Sequence, residues 1–306
     1  LSARYAAVTF RSLSSQDFRV LRAVEFGMVM HEFVPIQKIA QYANLPGSLV
    51  SSRLDYLAAR KLVRHASSSE IGYTGYNLTY AGYDCLALNA LVRKGVIEAV
   101  GKVLGIGKEA DVFEALTPSG RRVAAKFHRL GRISFRQTKK KRGYIAQRSH
   151  ASWLYQSRLA AQREIKALRI AWRHRVAVPE PIAQNRHVVI SAILNGMELS
   201  KYYELSKPDQ LLRRILRNLR VLYCEAGIVH GDISEYNILL SPSGRMQIID
   251  WPQYVSRRHP ASDRLITRDV ANIVNFFQRR FGSQILVNDA LNYVSGRKER
   301  LQSSRF

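Results

Sequence analysis

Apolar residues recur at helical spacing from Ser14 to Met30, where Phe18, Leu21, Val24 and Met28 share one face behind serines suited to an N-cap. The pattern predicts a first helix there and a second over Ile36 to Tyr42, which Asn44, Pro46 and Gly47 interrupt. A third opens at Ser48 and carries Leu49, Arg53, Leu54, Tyr56 and Leu57. Two short helices about a tight turn predict a helix-turn-helix. Beyond Arg60 the period changes. Lys61 to Ala66 predicts a strand, Ser67 to Tyr73 a polar loop, and Tyr76 to Thr79 a returning strand that ends at a helix cap. A strand-loop-strand behind the last helix is a wing. Residues 1–85 are therefore expected to form a winged-helix domain with Arg53 and Arg60 on its recognition helix, and 86–95 a helical linker.

From Val96 the chain reads as strand, glycine turn, strand, and Val123, Ala124, Ala125 and Lys126 predict a further strand. Arg129 to Arg148 holds eight Lys or Arg and no acid, which predicts a flexible basic loop over 129–150. Helical periodicity returns from Ser152 to Trp172, with Leu154, Ala161, Ile165 and Leu168 on one face. Arg186 to Ile193 predicts a strand ahead of a hinge at Asn195-Gly196. Ile238 to Leu240 and Met246 to Ile249 predict a hairpin about Ser241 to Arg245. The fold class expected is α+β: the winged helix, then two lobes over 96–193 and 194–285, then a tail over 286–306.

Composition narrows the partners. The chain has 306 residues, and its 48 Lys and Arg against 23 Asp and Glu give a formal net charge of +25. That field favours a polyanion, most economically RNA or DNA. Winged helices also dock proteins, but the charge puts nucleic acid first. Cys85 and Cys224 lie far apart without nearby ligand partners, so neither a disulfide framework nor a zinc site is expected. No long uninterrupted apolar stretch and no secretory pattern occur, and the protein is expected to be cytoplasmic with no membrane partner.

The strongest chemical signal is His230-Gly231-Asp232-Ile233-Ser234-Glu235-Tyr236-Asn237. Asp232 and Asn237 have the D-x₄-N spacing of a kinase catalytic loop, in which the aspartate takes the proton of the attacking hydroxyl and the asparagine oxygen helps hold Mg²⁺. The hairpin that follows has Asn237 at its entry and Asp250 at its exit, so their oxygens can converge on one hard cation. Upstream, Gly105, Gly107 and Lys108 lie between two strands, where glycines and backbone N–H groups can fold over phosphates. Lys126 ends its strand as the lysine of a V-A-I-K motif does, and Glu164, on the apolar face of its helix, is the acid expected to fix it on the phosphates of ATP. Backbone groups of Ser191, Ala192 and Ile193 are the candidates for holding adenine.

GIGKEADVF, HRLGRISFR, HGDISEYNILL, IIDWPQYVS and RDVANIVNFF together resemble the RIO family of atypical protein kinases, in its second subgroup, over nearly the whole chain. The resemblance implies an ATP- and Mg²⁺-dependent serine/threonine kinase with ATPase activity. Asp232 would be the catalytic aspartate, Asn237 and Asp250 the metal ligands, Lys126 with Glu164 the phosphate-positioning pair, and Lys108 a reach to the terminal phosphates. It further implies that Asp250 can itself accept the phosphoryl group, and that Ser134 is an autophosphorylation position. Maturation of the small ribosomal subunit, with its rRNA as partner, is the implied setting, and the absence of a long C-terminal extension after Phe306 resembles archaeal members more than eukaryotic ones. Two positions depart from the family: Ala110 stands where a serine is common, and Ser191-Ala192 where Met-Glu is usual. Two other readings compete: a small-molecule phosphotransferase related to aminoglycoside kinases, and an RNA-binding assembly factor in which ATP serves only as a conformational switch. The first leaves the winged helix and the charge without a role.

Overall fold

Ser14 begins its helix as the spacing predicts. Its hydroxyl accepts from the Asp17 N–H at 3.2 Å, and the Asp17 carboxylate accepts from the Ser14 N–H at 2.8 Å, satisfying two donors that a helix start leaves open. The computed structural model describes residues 2–130 and 151–301. These fall into two compact units, one of the residues up to Gln162 with Ala183–Ile190, the other of Arg163–Ile182 with the residues from Ser191 on. No helix among the described residues is long and apolar enough to cross a membrane.

The first unit opens with α1 (Ser2–Thr9) and α2 (Ser15–Gly27), then β1 (Val34–Pro35), α3 (Ile36–Ala43), α4 (Gly47–Ala59), β2 (Val63–Ala66), α5 (Ser68–Ile71), β3 (Gly75–Leu78) and α6 (Tyr80–Arg93). The strands form an antiparallel sheet in the order β1-β3-β2, which is the wing. Helix α5 occupies part of the stretch expected to be plain loop, because Ser67 and Glu70 form a capping box around a single turn. Helix α1 carries little periodic signal, yet its Ala3 and Ala6 are buried, and their small side chains suit its packing on α6. Residues 86–93 are not a linker. Leu86, Leu88 and Leu91 of α6 are buried in the core of this unit, at about 1.5–3 kcal/mol for each side chain so buried. Nor do the two expected recognition arginines face outward together: Arg53 turns to Asp17 at 3.8 Å, and the Arg60 guanidinium lies over the Tyr56 ring at 3.6 Å.

The same unit continues into β4 (Ala99–Ile106), β5 (Ala110–Leu116) and β6 (Arg122–His128), and α7 (Ala151–Arg173) follows residues 131–150. Ser134 and most of the expected basic loop lie outside the described residues. Arg129 is a correction to that loop: only 1% exposed, it is held in a buried ion cluster. The strand expected over 186–193 is shorter, because Arg186 takes a left-handed turn (φ 51°) between β7 (Pro181–Asn185) and β8 (Val188–Ala192). The five strands run in the order β4-β5-β6-β8-β7.

The second unit adds β9 (Met197–Glu198), α8 (Pro208–Cys224), β10 (Ile228–Val229), β11 (Ile238–Leu240), β12 (Met246–Ile248), β13 (Val255–Ser256), α9 (Ser262–Phe281) and α10 (Val287–Val294). Leu212, Ile215, Leu216, Leu219 and Leu222 give α8 a buried stripe at helical spacing, and α9 answers it with Ile266, Val270, Ile273, Val274 and Phe277. Gly196 admits β9 to the hairpin: a Cβ there would sit 2.5 Å from the Leu240 carbonyl oxygen. The expected tail over 286–306 is corrected in part. Residues 287–294 form α10, which packs on α8 and α9 and buries Ala290 and Val294; two buried positions in eight residues make a weak sequence signal.

Candidate active site

Asp232 is exposed at the end of a loop whose backbone is fixed from below. The loop leaves β10 through Gly231, which calls for glycine on two counts: its φ is positive (79°), and a Cβ there would lie 3.1 Å from the Gln253 carbonyl oxygen. The carboxylate of Asp269 on α9 accepts from the Gly231 N–H at 2.7 Å and the Ile233 N–H at 3.1 Å. Arg268 donates to the Gly231 carbonyl, and Asn272 Nδ2 donates to the Ile233 carbonyl at 3.2 Å. One turn of α9 thus clamps both neighbours of Asp232 and leaves its side chain clear.

Asn237 joins this loop to the hairpin. Its Nδ2 donates to the Asp232 carbonyl at 2.7 Å and approaches Asp232 Oδ2 at 3.4 Å, so Oδ1 is the atom left to act as an oxygen ligand. The hairpin register pairs Ile238 with Ile248, and the Ile249 N–H donates to the Asn237 carbonyl at 2.9 Å. Asp250 follows directly, half-buried, with its backbone in the left-handed region (φ 69°). That conformation is uncommon outside glycine, but aspartate and asparagine tolerate it, and it turns the chain sharply at the strand end. Trp251, fully buried, anchors the turn by donating from Nε1 to the Ile248 carbonyl at 3.1 Å, and His230 packs 4.4 Å from its ring. The three residues read as acid-base and metal groups therefore meet through one loop and one hairpin.

Although Asp232 is exposed, the partial desolvation of its carboxyl against the loop comes first, and then the charge of Asp250, in pushing it above its ordinary pKa, while Arg268 opposes. A carboxyl so shifted holds a proton more readily than a free aspartate. Burial also raises Asp269, to about 6, against the pull of its two N–H donors. The signs for structure and for chemistry differ. The linked stability from Asp269 is fully present below the ordinary aspartate range and is lost as pH rises through about 6. The carboxylate, however, is what accepts both N–H groups, and Asp232 must be unprotonated to act as a base. Turnover is accordingly expected to fall as pH drops through about 6. A pH–rate profile checks this; a rate that stays flat well below that point would contradict it.

In the first unit, the β4–β5 turn is Gly107-Lys108-Glu109, closed by the Gly107 N–H donating to the Ala110 carbonyl at 2.8 Å, and Lys108 is exposed. Gly105 pairs with Val112, and Val112 with Lys126, so loop glycine and lysine lie in one row of the sheet, two strands apart. At normal strand spacing that is about 10 Å, a reach a lysine side chain and a phosphate chain can share. Glu164 is buried on α7, in the other unit from Lys126. At the expected hinge, the Ala192 N–H donates to the Glu180 carbonyl at 2.9 Å, so that N–H is not a reader of adenine; Ser191 and Ile193 flank it.

Two residues that sequence reasoning leaves without a role are Arg268 and Asp269. A signal is present: Asp269 falls in the buried stripe of α9 between Ile266 and Ile273, where an acid needs fixed donors.

Two families of sequence account for almost all of this chain. A family model described as the RIO domain matches residues 111–290, and one described as Rio2, N-terminal, matches residues 10–94. The chain belongs to the RIO kinase family. Within it the Rio2 subgroup is supported by relatives along most of the length. The serine/threonine-protein kinase rio2 of Schizosaccharomyces pombe is 40% identical over 89% of this chain and 78% of its own. The RIO-type serine/threonine-protein kinase Rio2 of Methanocaldococcus jannaschii is 39% identical over 81% of this chain and 91% of its own. Among solved structures, the Rio2 kinase-ADP/Mg²⁺-phosphoaspartate complex from Chaetomium thermophilum superposes with a TM-score of 0.77 and 35% identity, covering 94% of this chain and 88% of that one. The RIO-domain match takes in Lys126, Glu164, Asp232, Asn237, Asp250 and Asp269, whereas Gly105, Gly107 and Lys108 precede it.

Proposed function

We propose that this RIO kinase is an ATP- and Mg²⁺-dependent serine/threonine phosphotransferase and ATPase that acts in maturation of the small ribosomal subunit in the cytoplasm. The observation that carries the chemistry is the link from Asp232 through Asn237 to Asp250, clamped by Asp269. The donor set fits the cation. Among the described residues no cluster of three or more His, Cys, Asp or Glu is arranged for a metal, but Mg²⁺ takes one or two carboxylates and completes its shell with phosphate and water oxygens. Asn237 Oδ1 and Asp250 are such oxygens. Bound there, Mg²⁺ neutralises charge on the phosphates.

The residues then have separable tasks. Asp232 orients the acceptor hydroxyl and takes its proton. Lys126 and Lys108 carry positive charge to the phosphates, and Ser191 and Ile193 offer backbone groups to the base. In the ATPase branch an Asp250 oxygen bonds to the γ-phosphorus as the bond to ADP breaks, and water then cleaves the acyl phosphate to inorganic phosphate and free carboxylate. The phosphoaspartate of the Chaetomium thermophilum complex supports that branch. Ser134 is the proposed autophosphorylation position. The test is transfer from ATP to serine or threonine, and phosphate release, with Mg²⁺ and with chelator; no turnover in Mg²⁺ would contradict the reading.

The rRNA partner rests on charge. With Arg53 and Arg60 engaged within the module, the net charge of +25, rather than one recognition helix, is what supports RNA binding. Affinity for precursor small-subunit rRNA is expected to fall by about 10³–10⁵ between 50 and 200 mM salt if roughly 6–10 phosphates are contacted. Filter binding across a salt series measures it, and a flat series would argue for a protein surface as the partner.

A further inference from the structure

Arg129 is a charged residue buried at 1% exposure, and its partners come from three parts of the first unit. Its Nη1 and Nη2 grip the Asp84 carboxylate at 2.7 and 2.8 Å, and Asp84 belongs to α6 of the winged-helix module. Its Nε donates to Asp111 at 3.3 Å, on β5 just past the glycine turn. Its backbone N–H donates to the carbonyl of Glu109, a residue of that turn, at 2.6 Å. His187 completes the cluster: its Nε2 lies 2.6 Å from Asp84, and its ring stacks on Tyr83 at 4.6 Å. Burial leaves His187 neutral, with a pKa lowered to about 4, so the ion pairs of the cluster are those of Arg129 with Asp84 and with Asp111.

Fully desolvated charges hold one geometry or none, because water cannot take over a lost partner. A guanidinium adds direction, since its planar fork fits a carboxylate in two bonds and leaves Nε aimed sideways. Here the fork is set by the winged helix, and the sideways donor and the main-chain N–H both end at the base of the glycine turn. We infer that Arg129 is a positioning residue for the glycine loop and that Asp84 orients it, so that nucleotide affinity depends on the winged-helix module. A second tie between the same parts, Arg186 to Glu25 of α2 at 2.6 Å, supports this coupling of module to sheet.

The inference rests on the kinase reading, and its test separates the two. Mg·ADP binding is measured by calorimetry on full-length wild type, Arg129→Lys and Asp84→Asn, with KM for ATP and kcat alongside. Lysine keeps the cation but not the fork, and asparagine keeps the shape but not the charge. Both variants are expected to bind Mg·ADP about tenfold more weakly and to raise KM similarly, with kcat near wild type because Asp232, Asn237 and Asp250 are untouched. A purely structural role would lower the melting temperature and leave affinity alone. Should either variant fail to fold, Asp111→Asn, which takes the charge from the 3.3 Å link to Arg129, is expected to show the same weakening. Wild type binding Mg·ADP while folded variants match it within about twofold overturns the inference and spares the kinase reading. A wild type that binds no Mg·ADP overturns both.

Discussion

Asp232→Asn is expected to lower turnover by about 10²–10⁴-fold, the usual contribution of a positioned general base. The substitution keeps the size of the side chain and leaves the loop that carries it intact. Gly231 and Ile233 remain on Asp269, and Asn237 still donates to the residue 232 carbonyl. Fold and Mg·ADP affinity should therefore match wild type, so the loss will lie in kcat. Steady-state phosphate release measures it beside calorimetric nucleotide binding. Wild-type kcat in the variant would remove Asp232 from the role of base and would require another group to receive the hydroxyl proton.

Asp250→Asn should be at least as damaging, for a different reason. Amide oxygen is a weaker ligand for a hard cation than carboxylate, and an amide cannot form the acyl phosphate. Asparagine is the informative substitution because residue 250 sits at φ 69°, which asparagine adopts as aspartate does. Alanine there would add roughly 1–2 kcal/mol of backbone strain and confuse folding with catalysis. Two effects are expected together. Turnover falls to background with a raised Mg²⁺ requirement, and thermal stability holds or rises slightly, because a negative charge that disfavours the ionised Asp232 is gone. A Mg²⁺ titration of turnover and a melting curve read both. Turnover with the wild-type Mg²⁺ dependence would contradict the assignment.

Much of this site is legible because its spacing is chemical and its elements are short. H-G-D-x₄-N and the hairpin behind it name Asp232, Asn237 and Asp250, and the observed Ile238 to Ile248 register converts that spacing into neighbourhood. The wing is legible from the switch of period after Arg60. What escapes depends on tertiary partners. Asp269 looks like any acid on an amphipathic helix until the loop it clamps is laid beside it. Arg129 opens a run of basic residues that reads as solvated loop, and only the carboxylates of Asp84 and Asp111, far away in sequence, explain its burial. Residues 86–93 look like a spacer because a helix is equally periodic as a strut or as core. Arg53 and Arg60 fall on the expected helix, but a recognition helix is defined by where its side chains turn, and Asp17 and Tyr56 decide that.

Acid-quenched labelling separates an Asp250 that takes the phosphoryl group itself from one that serves only as a metal ligand. Wild type and Asp250→Asn are each mixed with ATP radiolabelled at the γ-phosphate in the presence of Mg²⁺, quenched, and treated with hydroxylamine. Label on the wild type that hydroxylamine removes, and that is missing from Asp250→Asn, is the predicted result. Equal hydroxylamine-labile label on both proteins, or none on a wild type that releases phosphate, would contradict it.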